Sequence, residues 1–222
     1  MRESMHKQAS GRKCGFFLLV LIVVFSQGCY YAVRFNNRGI EKYLSGDIEG
    51  AIEDYNRAVQ IDSNYAPAYY NRGIAFLELG DSFNAVKDFA KAIEIKPDYA
   101  LAYYNRGIAH EELGDSNNAL MDYTKVIEIK PDYVDAYNNR GCLLVDEGDY
   151  EGSIKDFTHA IKIKPDYATA YFNRGSAWRG LKEYKNAIED FKKAMDIDPT
   201  KREKALAEIK FCESKIKKKS EY

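Results

Sequence analysis

Apolar residues along this chain recur with helical spacing, in pairs of segments separated by a turn. Across residues 66–99, Tyr69, Ile74, Ala75 and Phe76 mark one segment, broken at Gly80-Asp81. Ala85, Val86, Phe89, Ala92 and Ile93 mark a second, closed by Lys96-Pro97-Asp98. Apolar positions three and four apart put one face of each helix toward its partner. The glycine allows a tight reversal, and the proline ends the second helix. The pattern predicts a helix hairpin whose faces cannot all be buried within the hairpin itself.

The pattern then repeats. The tripeptide Asn-Arg-Gly recurs with its glycine at Gly39, Gly73, Gly107, Gly141 and Gly175, each step 34 residues with no insertion. Placing this glycine at position 8 gives five units, 32–65, 66–99, 100–133, 134–167 and 168–201. A fixed period of this length predicts an all-α stack in which each hairpin buries its faces on its neighbours.

The units resemble tetratricopeptide repeats. Position 4 reads Phe35, Tyr69, Tyr103, Tyr137, Tyr171, and position 24 reads Tyr55, Phe89, Tyr123, Phe157, Phe191. Small residues hold position 20 (Ala51, Ala85, Ala119, Ser153, Ala187), and position 27 is Ala58, Ala92, Val126, Ala160, Ala194. Position 32 is Ser63 and then Pro97, Pro131, Pro165 and Pro199. The resemblance implies a right-handed superhelical solenoid of five hairpins. Residues 202–222 follow as a capping helix with a basic tail, its apolar face formed by Ala205, Ile209, Cys212 and Ile216 with Leu206 beside them. Lys215, Lys217, Lys218 and Lys219 suit the negative end of that helix.

Position 7, usually apolar in the family, is arginine in every unit (Arg38, Arg72, Arg106, Arg140, Arg174). Position 23 is aspartate in every unit (Asp54, Asp88, Asp122, Asp156, Asp190). The pairing predicts a ladder of ion pairs that sets helix register, each rung worth about 0–1 kcal/mol if exposed. The first unit departs most, with Arg34 and Glu41 where the others mostly carry alanine, as the polar outer face of a terminal repeat requires.

Residues 1–28 read as an export segment: Arg2, Lys7, Arg12 and Lys13 precede the apolar run Cys14 to Phe25, then Ser26-Gln27-Gly28-Cys29. The ending resembles a bacterial lipoprotein signal, which implies lipidation of Cys29 after cleavage and a short tether at 29–31. Ser26 stands where that family favours leucine. The alternative is an uncleaved anchor from Cys14 to about Val33, near the ~20 residues a span needs. Either reading keeps the basic head in the cytoplasm and places the repeats outside it, facing the periplasm or cell exterior. Removing Arg2, Lys7, Arg12, Lys13 and Glu3 with the segment makes a net charge of −1 more acidic, which argues against nucleic acid as a partner.

Catalytic and metal motifs are missing from the sequence. It contains no phosphate-binding glycine loop, no HExxH and no nucleophile elbow. The cysteines (Cys14, Cys29, Cys142, Cys212) and histidines (His6, His110, His159) do not cluster with zinc spacing. The expectation is a protein that is not an enzyme and uses no cofactor, metal or small-molecule substrate.

Family resemblance places first-helix positions 2, 5, 6, 9, 12 and 13 on the concave, ligand-facing side. Position 6 is Asn37, Asn71, Asn105, Asn139 and Asn173. Such a row can pair with an extended peptide backbone, or it packs between helices; both readings stand. Position 5 supplies Tyr70, Tyr104 and Phe172, and position 9 Ile74 and Ile108. Positions 12 and 13 add Glu78, Glu111, Glu112 and Asp146. Aromatic residues with few rotors make good anchors, and the carboxylates favour a partner carrying Lys or Arg. Because these positions vary between units, the stack is expected not to depend on them. The carboxylate clamp of cytosolic family members needs lysines at positions 2 and 5, and this chain has none there. The sequence therefore points to a membrane-tethered scaffold that binds a protein or extended peptide. The alternative is a fixed subunit of an envelope or secretion complex, contacting through its convex face.

Overall fold

The computed structural model describes residues 29–219. The export-type segment at 1–28 and the end of the basic tail lie outside the described residues. The first helix, α1, occupies residues 29–44, so 29–31, expected as a tether, are helical. The other helices are α2 (Ile48–Ile61), α3 (Ala66–Glu78), α4 (Ser82–Ile95), α5 (Ala100–Glu112), α6 (Ser116–Ile129), α7 (Val134–Asp146), α8 (Tyr150–Ile163), α9 (Ala168–Gly180), α10 (Tyr184–Ile197) and α11 (Arg202–Lys219). One turn of 3-10 helix, Pro199–Lys201, leads into α11. No strand occurs among the described residues. The chain divides into two compact units, one ending at Ala102 and one beginning at Tyr103, with the division inside α5.

The hairpins follow the predicted repeat. In the first unit α3 packs on α4 and α2 on α3; in the second, α7 packs on α8 and α9 on α10, with α6 on α7 and α8 on α9 joining successive hairpins. Each reversal uses a left-handed residue at repeat position 15. Gly46, Gly80, Gly114 and Gly148 have φ of 87°, 73°, 75° and 83°, and Lys182 has φ of 63°. The next residue caps the second helix: Asp47, Asp81, Asp115 and Asp149 each accept a backbone N–H through the side chain. Glu183 makes no such bond. The fifth hairpin thus lacks both devices that close the other four.

Close packing explains the glycine of Asn-Arg-Gly. A Cβ on Gly73 would lie 2.7 Å from the Phe89 ring, and one on Gly141 2.7 Å from that of Phe157. Both phenylalanines are fully buried, worth about 1.5–3 kcal/mol each. Between repeats, Ala75 at position 10 joins Ala51 and Tyr55 of the repeat before it. Leu143 joins Ala119 and Tyr123 in the same way, and Ala170 at position 3 joins Ala160. Positions 3 and 10 therefore face the preceding repeat. At the start of the array the same positions, Arg34 and Glu41, are exposed.

At the other end α11 covers the fifth repeat. Ala205, Ile209 and Cys212 are buried with Ala187 and Phe191, and Trp178, Tyr184, Ile188 and Met195 pack around them. Leu206, expected beside this face, is exposed instead. Arg179 fixes the cap laterally with an ion pair to Glu208 at 2.7 Å.

The arginine–aspartate ladder is present in all five repeats. Arg38 meets Asp54, and Arg72 meets Asp88 through two bonds of 2.6 Å. Arg106 meets Asp122 at 2.8 and 2.7 Å, Arg140 meets Asp156 at 2.7 Å twice, and Arg174 meets Asp190 at 2.8 Å twice. All five aspartates are buried, so the expectation of weak exposed pairs is corrected: removing an arginine strands a carboxylate away from water. Several arginines also reach the repeat before them. Nη1 of Arg72 donates to Asn56 at 2.6 Å, that of Arg140 to Thr124 at 3.1 Å and that of Arg174 to Thr158 at 3.0 Å. All three acceptors occupy position 25, so at these three rungs the arginine that closes its own hairpin also holds it in register on the one before.

Candidate functional site

In the first unit, the selected residues lie on α1 and α3. Asn37 is exposed and Ile74 half-buried. The Asn71 amide donates to Asn36 of the preceding repeat at 2.8 Å. The Tyr70 ring lies 5.0 Å from that of Tyr99 and 5.9 Å from that of Phe89. Glu78 is exposed at the end of α3, and its charge adds to burial in pushing up the Tyr43 phenol.

The second unit gathers more of them. The Asn139 amide donates to the hydroxyls of Tyr104 at 3.2 Å and Tyr123 at 3.4 Å. Tyr123 in turn donates to the Glu111 carboxylate, and the Tyr104 ring packs 5.0 Å from that of Tyr133, tilted at 44°. Asn173 donates to Asn138 at 3.0 Å and to the Cys142 sulfur at 3.3 Å. Phe172 packs 5.2 Å from Phe191. Asn105 and Ile108 are half-buried along α5, while Glu112 and Asp146 are exposed at the ends of α5 and α7.

The electrostatics of this cluster are acidic. Burial, with Asp135 next, pushes the Tyr104 phenol up to about 12. Burial and then Glu111 and Asp146 push the Cys142 thiol up to about 11, so that sulfur is a packed, neutral group rather than a nucleophile. Tyr167 donates to Asp135 at 3.1 Å. Tyr104, Glu111, Asp135 and Asp146 therefore share one region of phenols and carboxylates.

Two sets of residues in this region escaped sequence reading. The position-34 tyrosines (Tyr65, Tyr99, Tyr133, Tyr167) recur in most repeats and so read as scaffold, yet the rings of Tyr99 and Tyr133 pack, tilted, against the variable position-5 tyrosines. Asp135 sits at position 2, where the carboxylate clamp of cytosolic family members needs lysine. Conversely, Tyr70 and Tyr104 hold neighbouring rings in place, so the expectation that the stack does not depend on them is corrected. The asparagine amides at 71, 139 and 173 are engaged between repeats, which is the packing alternative for that row.

Among the described residues, no group of histidine, cysteine or carboxylate side chains could hold a metal ion. What the surface offers is aromatic faces, phenol hydroxyls and carboxylates on regular helices.

Comparison with known proteins defines the class. The TPR repeat family matches residues 39–80, 83–114 and 141–178, and two further tetratricopeptide-repeat families match 100–133 with 168–201, and 122–155. The chain belongs to the tetratricopeptide-repeat family. Its fold is that of solved solenoids of this class, of which three show the range. A crystal structure of MamA has a TM-score of 0.72 at 25% identity, covering 78% of this chain and 94% of that one. YrrB, described as a TPR protein with an unusual peptide-binding site, has a TM-score of 0.68 at 24% identity, covering 76% and 87%. The first TPR of Spaghetti (RPAP3), bound to the HSP90 peptide SRMEEVD, has a TM-score of 0.51 at 25% identity, covering 52% and 91%. No curated protein matches the chain significantly.

Proposed function

We propose that this protein is a non-catalytic scaffold that binds an extended peptide or protein segment on the face formed by its first helices. The observation that carries this is the second unit's cluster, where Tyr104, Glu111, Asp135 and Asp146 bring ring faces and negative charge together on a rigid repeat frame. Membership of a repeat family with a solved peptide-bound relative supports the reading. The partner chemistry differs from that relative. The peptide it holds is acidic at its end, whereas positions 2 and 5 here read Val33, Pro67, Leu101, Asp135, Thr169 and Asn36, Tyr70, Tyr104, Asn138, Phe172. With no cation at these positions and carboxylates beside them, the face suits a segment carrying Lys or Arg.

The same reading places the scaffold on a membrane outside the cytoplasm, held by lipid on Cys29 or by an uncleaved anchor. The basic head and apolar run before Cys29 support this, and Cys29 is exposed at the beginning of the described chain. No described helix is long and apolar enough to cross a membrane; the anchor reading draws on the apolar run that begins at Cys14.

Fluorescent extended peptides of equal length, one lysine-rich and one glutamate-rich, test the binding chemistry. The full chain is expected to bind the basic peptide, more weakly as salt rises. Equal or stronger binding of the acidic peptide would overturn the proposal. Mass analysis of the membrane-associated chain tests the anchor, since lipidation adds acyl mass at Cys29 and Cys29→Ser abolishes it.

A further inference from the structure

The outer face of the first repeat differs from the matching face of every other repeat in one consistent respect, its positive charge. Position 3 is Arg34 where the next repeats carry Ala68, Ala102, Ala136 and Ala170. Position 11 is Lys42 where they carry Phe76, His110, Leu144 and Trp178. At position 26, Lys91 and Lys125 pair with Glu94 and Glu128 three residues on. Arg57 has Gln60 there instead and turns to Asp54 at 3.5 Å. Glu41 is the one carboxylate added in exchange.

The geometry concentrates this charge. Asp54, fully buried, faces Arg38, Lys42 at 3.2 Å and Arg57, so one carboxylate serves three cations where Asp88, Asp122, Asp156 and Asp190 each meet a single arginine. Among the described residues no repeat precedes Arg38, and its Nη1 has no position-25 acceptor there. Its side chain is 46% exposed, against 17–22% for the other four. Arg34 forms no ion pair among the described residues. Tyr30 and Tyr31, 64% and 46% exposed, stand at the edge of this face. With Arg34, Phe35, Arg38 and Glu41 they line an open cavity of about 590 Å³.

We propose that this end face docks on an anionic membrane surface, with Arg34, Arg38 and Arg57 taking lipid phosphate headgroups and Tyr30 and Tyr31 lying at the interface. Arginine suits phosphate through its planar fork, and tyrosine favours the headgroup level. The face lies a few residues after the apolar run Cys14–Phe25 in sequence, and on the membrane reading that short separation would hold it near the bilayer. A terminal repeat needs only a polar outer face for solubility; surplus cations beside exposed tyrosines go beyond that requirement. The inference rests on the membrane reading above.

The test uses the full chain reconstituted into phosphatidylcholine vesicles, with or without a quarter phosphatidylglycerol. Photoactivatable headgroup probes, one anionic and one zwitterionic, are crosslinked and mapped to residues 30–57. The expected ratio of anionic to zwitterionic crosslinking there is on the order of tenfold, given the attraction of each basic side chain to an anionic surface. It should fall toward one in Arg34→Ala/Arg57→Gln, which carries the residue other repeats have at position 3. Lys193→Ala, which removes the position-26 cation of the fifth repeat, should leave it unchanged. A ratio near one in the wild-type chain overturns this inference and leaves the membrane reading standing, as does a ratio that survives in the double variant. Displacement by inorganic phosphate at constant ionic strength would mark a free-anion site and overturn the lipid assignment. No association with either vesicle overturns both readings.

Discussion

Arg140 and Asp156 meet through two parallel hydrogen bonds of 2.7 Å, and the third guanidinium nitrogen of Arg140 reaches Thr124 in the preceding repeat at 3.1 Å. One side chain thereby closes its own hairpin and fixes the next contact along the array. Arg140→Leu should destabilise the fold by about 3 kcal/mol, because it strands a buried carboxylate. Thr124→Val, which removes only the inter-repeat acceptor, should cost about 1–2 kcal/mol. Urea unfolding of both single variants and the double variant measures the coupling. An Arg140→Leu protein as stable as wild type would show that the ladder carries no weight.

The fifth hairpin should be improvable. Lys182 holds φ of 63° where the other repeats have glycine, a conformation costing a residue with a Cβ about 1–2 kcal/mol. Lys182→Gly relieves this at some loss of chain entropy. Glu183→Asp restores the capping side chain found at Asp47, Asp81, Asp115 and Asp149, worth about 1 kcal/mol. Together they should raise the thermal midpoint. An unchanged or lower midpoint would show that the turn is unstrained.

How far the sequence foretold these features depends on whether each obeys the repeat. The Gly–Phe contacts, the arginine–aspartate rungs and the polar positions of Arg34 and Glu41 recur or depart in register, so a 34-residue alignment exposes them. The acceptors for the arginine Nη1 do not: Asn56, Thr124 and Thr158 share position 25 with Ala90 and Lys192, and only coordinates reveal their common task. Tyr104 was legible as a variable position, but its contact with Tyr133 joins the fifth residue of a repeat to the last. No helical period links those two positions. Residues 29–31 read as a tether because the repeat frame starts at 32, yet nothing in Cys29, Tyr30 or Tyr31 stops a helix.

Removing α11 from Arg202 onward should expose the face of Ala187, Phe191 and Met195 that Ala205, Ile209 and Cys212 now cover. At about 25 cal/mol per Å² of apolar area, losing this contact should cost several kcal/mol. Hydrogen exchange should show α9 and α10 opening first. Retention of wild-type protection in those helices would make α11 a dispensable appendage.

Tyrosines withdrawn from water predict an alkaline transition. Burial is the main cause that pushes Tyr55, Tyr99 and Tyr104 up to about 12 from an ordinary value of 10.0. The folded state thus holds their protons more tightly than the unfolded state does. Their contribution is complete below pH 10 and is lost as pH rises toward 12. Tyrosinate absorbance should lag behind that of free tyrosine and then rise together with the loss of helical circular dichroism. Tyr99→Phe and Tyr104→Phe, which remove the ionising hydroxyl and keep the ring, should each move unfolding to higher pH. Normal titration of every tyrosine in a protein that stays folded would contradict this.

The binding face calls for variants that spare the fold, and the contacts of Tyr104 show which to avoid. Tyr104→Ala would remove its ring contact with Tyr133 and the bond from Asn139, so weakened binding could reflect a loosened repeat. Glu112 and Asp146, exposed at the ends of α5 and α7, are better probes, since surface changes of this kind usually stay within about 0.5 kcal/mol of wild-type stability. Glu112→Lys/Asp146→Lys places two cations beside the tyrosine–carboxylate cluster and should repel a basic segment. Affinity for a lysine-rich peptide should fall on the order of tenfold, with the difference shrinking as salt is raised and mostly gone near 1 M, where the screening length is about 3 Å. Tyr104→Phe, which keeps the ring, should bind within a few-fold of wild type if the ring face is the anchor. Calorimetric titration of the three proteins, with circular dichroism to confirm equal helicity, decides the matter. Undiminished binding by the double lysine variant would place the partner elsewhere on the repeats.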